Sequence, residues 1–325
     1  MPGFTTHYIF GMKAYNDMPF TPLKHTIAKH RWLYQLGLQG PDMFFYNIPI
    51  LRHRDYRNVG SYMHEHKVNA FFECCLRRIG TIRSRQQQEE AISYLAGFMN
   101  HYIADSICHP YVYGRIGYPV DAPTSMYHGM HAHLENELDA ILLWKYKKKK
   151  PSEFNQTATI CLNGQEIQFI SHFLASCINE TYYPITYRNN FQVTPAMVHR
   201  SIWALRFGCR TLSDKNGKKK FGIAQVESIF VNHPVASAKM VTDSVTDYRS
   251  SCNLNHEAWG NPWDPTRVST ASFVDLFHET LDKCSRVYAL LNSAVTDNMP
   301  LDKQDLSPLL AELGNESYHS GLPVD

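Results

Sequence analysis

Histidines and carboxylates four residues apart restrict this chain more than any other feature. One stretch reads His101-Tyr-Ile-Ala-Asp105-Ser-Ile-Cys-His109-Pro110, and a second reads His131-Ala-His133-Leu-Glu135-Asn-Glu137-Leu-Asp139. On an α-helix, residues four apart share a face. His101, Asp105 and His109 therefore stack along one edge, and His131 with Glu135 repeats the arrangement. His133 and Glu137 have the same spacing, so spacing alone leaves the choice between the two pairs open. A carboxylate buried on such an edge without a partner costs several kcal/mol. A divalent cation supplies the partner, and imidazole with carboxylate is a donor set that suits zinc. A single histidine among aromatics reads more simply as a hydrogen-bonded core residue; the set does not. Two such edges facing one another have room for more than one ion.

The surrounding periodicity is helical, and it predicts an all-α, multi-helix bundle. Apolar residues recur at helical intervals over Pro22–Leu36, Tyr56–Thr81, Gln86–Ile107, His131–Lys147, Ile167–Ile178, Thr194–Cys209 and Thr270–Asn292. Pro110 is expected to end the helix that carries His101 and Asp105, with His109 in or just past its last turn. Gly40-Pro41 puts Asp42 at a turn or a helix entrance. Residues 110–130, rich in Pro, Gly and Tyr, read as an ordered loop. Asn163-Gly164 reads as the turn of a short hairpin, and the 215–220 stretch as an exposed loop. Ser269 or Thr270 is the expected cap of the last long helix. The run Lys145–Lys150 closes the His131 helix and complements its dipole, which is the behaviour of a solvated end, with contact to an anionic partner as the alternative. The tryptophans among prolines at 259–265 read as packing, with a pocket wall as the alternative. The expected organisation is a metal-binding core over 1–150, with a helical extension over 151–325 packed on it as one compact unit.

Composition serves mainly to exclude. With 325 residues, 44% hydrophobic and 19% charged, the chain is long and apolar enough for a substantial core. A formal net charge of +2 gives no reason to expect a stable nucleic-acid partner. The eight cysteines contain no Cys-x-x-Cys pair, which disfavours a zinc ribbon or redox motif. No basic segment followed by an apolar run opens the sequence, and no 18-residue apolar run crosses it. Scattered cysteines without an export signal point to the cytoplasm.

Several stretches, taken in order, resemble the zinc-dependent phospholipase C family, related in fold to nucleases of the S1/P1 type. Thr6-His7-Tyr-Ile-Phe-Gly is similar to the family's early histidine segment, and Gly40-Pro41-Asp42 to its early aspartate. His64, in preference to His66, is similar to the next histidine. His101-Tyr-Ile-Ala-Asp105 resembles the family's His-x-x-x-Asp helix, and His109 the histidine after it. His131-Ala-His133-Leu-Glu135-Asn resembles its His-x-x-x-Glu-Asn helix. The resemblance covers roughly residues 1–145. It implies an all-helical fold and two or three zinc ions per chain. One ion would take Asp42, His64, His101 and Asp105, and a second His109, His131 and Glu135. A third would take His7 and share Asp105. The resemblance thus prefers His131 and Glu135 over His133 and Glu137.

The implied chemistry is phosphodiester hydrolysis by metal-activated water, with Asp42 orienting or deprotonating that water. The expected substrate is a small phosphodiester or a phospholipid, approached past tyrosines such as Tyr111, Tyr113 and Tyr127. Nuclease-like hydrolysis of single strands is one alternative, and a non-catalytic helical metal scaffold another. A phosphohydrolase of the His-Asp dyad type is disfavoured, because no histidine here is followed directly by aspartate.

Overall fold

The computed structural model describes residues 3–46, 59–120, 125–182, 192–212, 214, 217–230, 237, 240–243 and 247–325. The chain is wound around one helix, α6. It is preceded by α1 (Phe4–Asp17), α2 (Pro22–Lys29), α3 (Arg31–Gly37), a 3-10 turn (Gly40–Tyr46), α4 (Val59–Glu65) and α5 (Val68–Thr81). Helix α6 itself (Arg85–Arg115) has 31 residues, roughly 46 Å at 1.5 Å per residue. Then come α7 (Ser125–Lys147), α8 (Gly164–Tyr182), α9 (Pro195–Thr211), α10 (Lys218–Phe230) and the single turn α11 (Tyr248–Ser251). A small antiparallel hairpin, β1 (Trp259–Asn261) and β2 (Asp264–Ser269), leads into α12 (Phe273–Thr296) and α13 (Ser307–Leu313).

Helix α6 is buried almost all round from Ala91 to Val112, as a helix at the centre of a bundle must be. One apolar cluster gathers on its first half, with Leu95, Phe98, Tyr102 and Ile103 against α3, α5, α8 and α12. A second gathers on its last turns, with Ala104, Cys108, Tyr111 and Val112 against α1, α7 and Phe273. Helix α12 is tied to this centre by Tyr288, whose hydroxyl donates to the Ala96 carbonyl at 3.1 Å.

Local chemistry explains where the elements differ from expectation. Helix α6 does not stop at Pro110 but runs on to Arg115. Proline removes one bond to the carbonyl four residues back, that of Ser106. Burial of Tyr111 and Val112, both wholly inaccessible, outweighs that single loss. His109 therefore stays in register with His101 and Asp105, and much of the loop expected over 110–130 is helical; residues 121–124 lie outside the described set. Asn163-Gly164 is not a hairpin turn. The Asn163 side chain accepts from the Glu166 amide at 2.9 Å, the Asn163 amide donates to Glu166 at 2.8 Å, and this reciprocal cap starts α8. The long C-terminal helix is capped by Ser272 with Asp275, not by Ser269 or Thr270. The stretch expected to be one helix over Pro22–Leu36 breaks at His30 into α2 and α3. Lys218–Lys220, expected in a loop, open α10, while residues 215–216, like Tyr56, lie outside the described residues.

Candidate metal centre

Five elements bring imidazoles and carboxylates to one place beside α6. Helix α1 carries His7, the 3-10 turn Asp42, α4 His64, α6 His101, Asp105 and His109, and α7 His131 and Glu135. Helix α1 is fixed against α7 by Asp139, whose carboxylate accepts from the Thr5 and Thr6 amides at 3.1 and 2.7 Å. It caps a helix whose own cap position, Gly3, has no side chain to offer. Gly40 lets the 3-10 turn enter: its φ is +47°, and a Cβ there would overlap the His101 ring.

The donors form two groups. Asp42, His64, His101 and Asp105, all buried, each offer one atom, and these atoms lie within 4.8 Å of one another. His109, His131 and Glu135 form a second group by the same measure. Asp105 faces both. Its Oδ2 is 3.2 Å from His101 Nε2 and 3.7 Å from His64 Nε2, and its Oδ1 is 3.1 Å from His7 Nε2 and 3.7 Å from His109 Nδ1. His64 Nε2 lies 3.2 Å from Asp42 Oδ1, and His131 Nε2 2.5 Å from Glu135 Oε1. The His7 ring stacks on His101 with centroids 4.0 Å apart.

The Nδ1 nitrogens of three of the imidazoles are held by main-chain carbonyls. His64 Nδ1 meets Gly60 O at 2.6 Å, His101 Nδ1 meets Leu38 O at 3.1 Å, and His109 Nδ1 meets Tyr318 O at 2.7 Å. A carbonyl only accepts, so each Nδ1 carries the hydrogen and each Nε2 turns a lone pair inward. Those Nε2 atoms, Asp42 Oδ1 and both Asp105 oxygens are buried and make no hydrogen bond. Buried polar atoms are nearly always bonded. Convergent imidazole lone pairs and carboxylate oxygens are satisfied together by a divalent cation, so the residues present fit zinc.

The electrostatics differ between the groups. Burial alone would raise the Asp105 carboxyl, but His101 and His7 hold it well below the usual carboxylate range. Burial lowers His101, yet Asp105 and Asp42 outweigh it and raise that imidazole. His7 is lowered by burial and by the neighbouring His101. In the second group burial dominates: it pushes Glu135 well up and His131 well down, toward their neutral forms. A cation there would reverse the preference of Glu135.

His133 is half exposed, and Glu137 is buried but accepts the Ser251 hydroxyl, so neither joins the groups. His66 packs on Tyr62 and joins neither group. Tyr111, expected to line the approach, is instead wholly buried and donates to the Ser251 carbonyl at 2.8 Å. Tyr113 does border the centre, 4.6 Å from His131 and 5.6 Å from His109 between ring centroids. Tyr118 and Trp263 extend this aromatic wall, with Tyr127 at its far end. Trp263 packs on Tyr113 and Tyr118, next to the second group. Tyr318 and His319 reach the centre from far along the chain and carry no spacing signal.

No curated protein and no solved structure matches the chain. The model of the family described as zinc dependent phospholipase C matches residues 6–185, more than half of the 325 and a span that includes every donor in the two groups. The chain belongs to the zinc-dependent phospholipase C family.

Proposed function

We propose that the two donor groups act as one centre, with two or three zinc ions per chain, on a small phosphodiester or the headgroup phosphodiester of a phospholipid. The chain is a metal-dependent, phospholipase C-like phosphoric diester hydrolase; the ion count, the ligand roles and the substrate are the proposal. Zinc, when bound, neutralises phosphate oxygens, acidifies water and stabilises the leaving oxygen. Asp42, His64, His101 and Asp105 would hold one ion, His109, His131 and Glu135 a second, and His7 a third shared through Asp105. The Asp42 carboxylate, at the edge of the first group, orients the attacking water and takes its proton. Tyr113, Tyr118 and Trp263 give the non-reacting part of the substrate an apolar wall and keep bulk water from the second group.

The observation that favours catalysis over a scaffold is the three-donor group. Structural zinc sites are closed by four protein ligands, whereas catalytic sites keep a position open. Single-strand nuclease activity is the alternative, disfavoured by a net charge of only +2. Among the described residues no helix is long and apolar enough to cross a membrane. A cytoplasmic location belongs to the same proposal, as does the division into a metal-binding core over 1–150 and an extension over 151–325. Metal analysis of protein purified without chelator is expected to find two or three zinc ions per chain, with hydrolysis of bis-p-nitrophenyl phosphate and phosphatidylcholine and little action on single-stranded DNA. Less than one ion per chain, with no gain on adding zinc, would overturn the reading.

A further inference from the structure

The family match ends at residue 185, yet the last residues of the chain return to the centre. Residues 314–325 fold into a clasp. Ser317 N donates to Leu322 O at 2.8 Å, and Val324 N to Asn315 O at 2.9 Å. The Asn315 side-chain amide donates back to Val324 O at 2.7 Å. Several anchors fix the clasp to the bundle. Asn261 Nδ2 in β1 donates to Ser320 O at 2.7 Å, and the Tyr102 hydroxyl on α6 donates to Glu316 at 2.7 Å. Gly321, with φ +61°, seats against the Ser106 carbonyl that Pro110 leaves without its helical bond, and a Cβ there would lie 2.6 Å from that oxygen.

Tyr318, within the clasp, reaches both donor groups through its main chain. Its N–H donates to His64 O at 2.9 Å, and its carbonyl accepts from His109 Nδ1 at 2.7 Å. The tyrosine ring is buried against His64 and His101. His319 follows directly, stacked on His64 with centroids 4.9 Å apart and edge-on to His109 at 5.7 Å. The dependence on the clasp is unequal. The Nδ1 atoms of His64 and His101 are held by Gly60 and Leu38, within the early part of the chain. His109 Nδ1 is held by the clasp. Such an outer bond fixes the tautomer and the aim of a metal-binding imidazole.

We propose that the C-terminal clasp is a positioning element of the metal centre: through the Tyr318 carbonyl it sets His109, so the ion at the three-donor group is retained only while the clasp is seated. Residues outside the family-matched stretch thereby govern the ion at the three-donor group more than the ion at the four-donor group. The proposal rests on the reading of His64 and His109 as ligands.

Two variants loosen the clasp without touching any donor: Gly321→Ala, which collides with the Ser106 carbonyl, and Asn261→Ala, which removes the tie to Ser320. Zinc retention is read by competition with a graded chelator on the full-length protein, with far-UV circular dichroism to establish folding. The expected result is retention of the more labile ion, that of the three-donor group, weakened by about tenfold or more, the range typical for loss of an outer-shell partner, with the tighter ion affected less. If Gly321→Ala does not fold, Asn261→Ala decides. Both ions retained as in the parent, or both weakened equally, would overturn the proposal. A parent that holds no zinc would overturn the ligand reading, and the proposal with it; a parent that holds zinc while folded variants lose none overturns the clasp alone.

Discussion

Asp105 is the carboxylate on which both donor groups converge, and its two oxygens face four imidazoles while making no hydrogen bond. Replacement by asparagine keeps the shape and removes the charge that opposes the cations. Breaking a buried charge pairing costs about 3–5 kcal/mol, roughly a hundredfold to several thousandfold in affinity at 1.4 kcal/mol per tenfold. Asp105→Asn is therefore expected to lose bound zinc and hydrolysis of bis-p-nitrophenyl phosphate together; activity that survives would show that the geometry is misread. Asp139 tests the fold at the same scale. Burial raises its carboxyl to about 6 from an ordinary 3.8, against the pull of the Thr6 and Thr5 amides. Between those values the folded chain binds a proton that the unfolded chain has released, so this contribution is greatest below pH 3.8 and is lost as pH rises through 6. The shift is worth on the order of 3 kcal/mol. The thermal midpoint of the metal-free parent, relative to Asp139→Asn, should fall as pH rises from 4 to 7. A difference that does not vary with pH would contradict the assignment.

At the scale of elements, the centre depends on how closely the 3-10 turn approaches α6. Gly40 holds a left-handed backbone against the His101 ring. Gly40→Ala carries about 1–2 kcal/mol of backbone strain and displaces either the turn with Asp42 or the ring of His101. Urea denaturation should show a loss of at least that size, and chelator competition a weaker four-donor group. An unchanged zinc affinity would mean that the turn tolerates a side chain. The continuation of α6 past Pro110 matters in the same way. A helix ending at residue 107 would leave His109 out of register with Asp105, whereas the observed helix keeps them four apart on one face.

Across the whole molecule, the donors come from α1, the 3-10 turn, α4, α6 and α7, so bound ions would cross-link segments far apart in the chain. A ligand that binds only the folded state stabilises it by mass action, about 4 kcal/mol at a thousandfold excess over Kd. Chelation is expected to lower the calorimetric midpoint of the full-length protein. Zinc should restore it and magnesium should not, because imidazole donors suit the softer ion. A midpoint indifferent to chelator would remove the structural role of the ions.

What the sequence determined by itself was local. Helical periodicity and the four-residue spacing put His101, Asp105 and His109 on one edge and His131 with Glu135 on another, because i to i+4 geometry follows from the helix alone. The Asn163 cap was equally local, and its Glu166 partner was legible three residues on; hairpin chemistry was the wrong reading of Asn-Gly there. The tertiary structure decided what depends on burial and long-range approach. It left His133 half in solvent and turned Glu137 to Ser251, a separation that spacing had no means to make. It carried α6 through Pro110, since burial on all sides outweighed one lost hydrogen bond. It also brought Tyr318 and His319 back across some two hundred residues onto His64 and His109, a contact set by packing of the C-terminal clasp on the bundle and by nothing periodic in the chain.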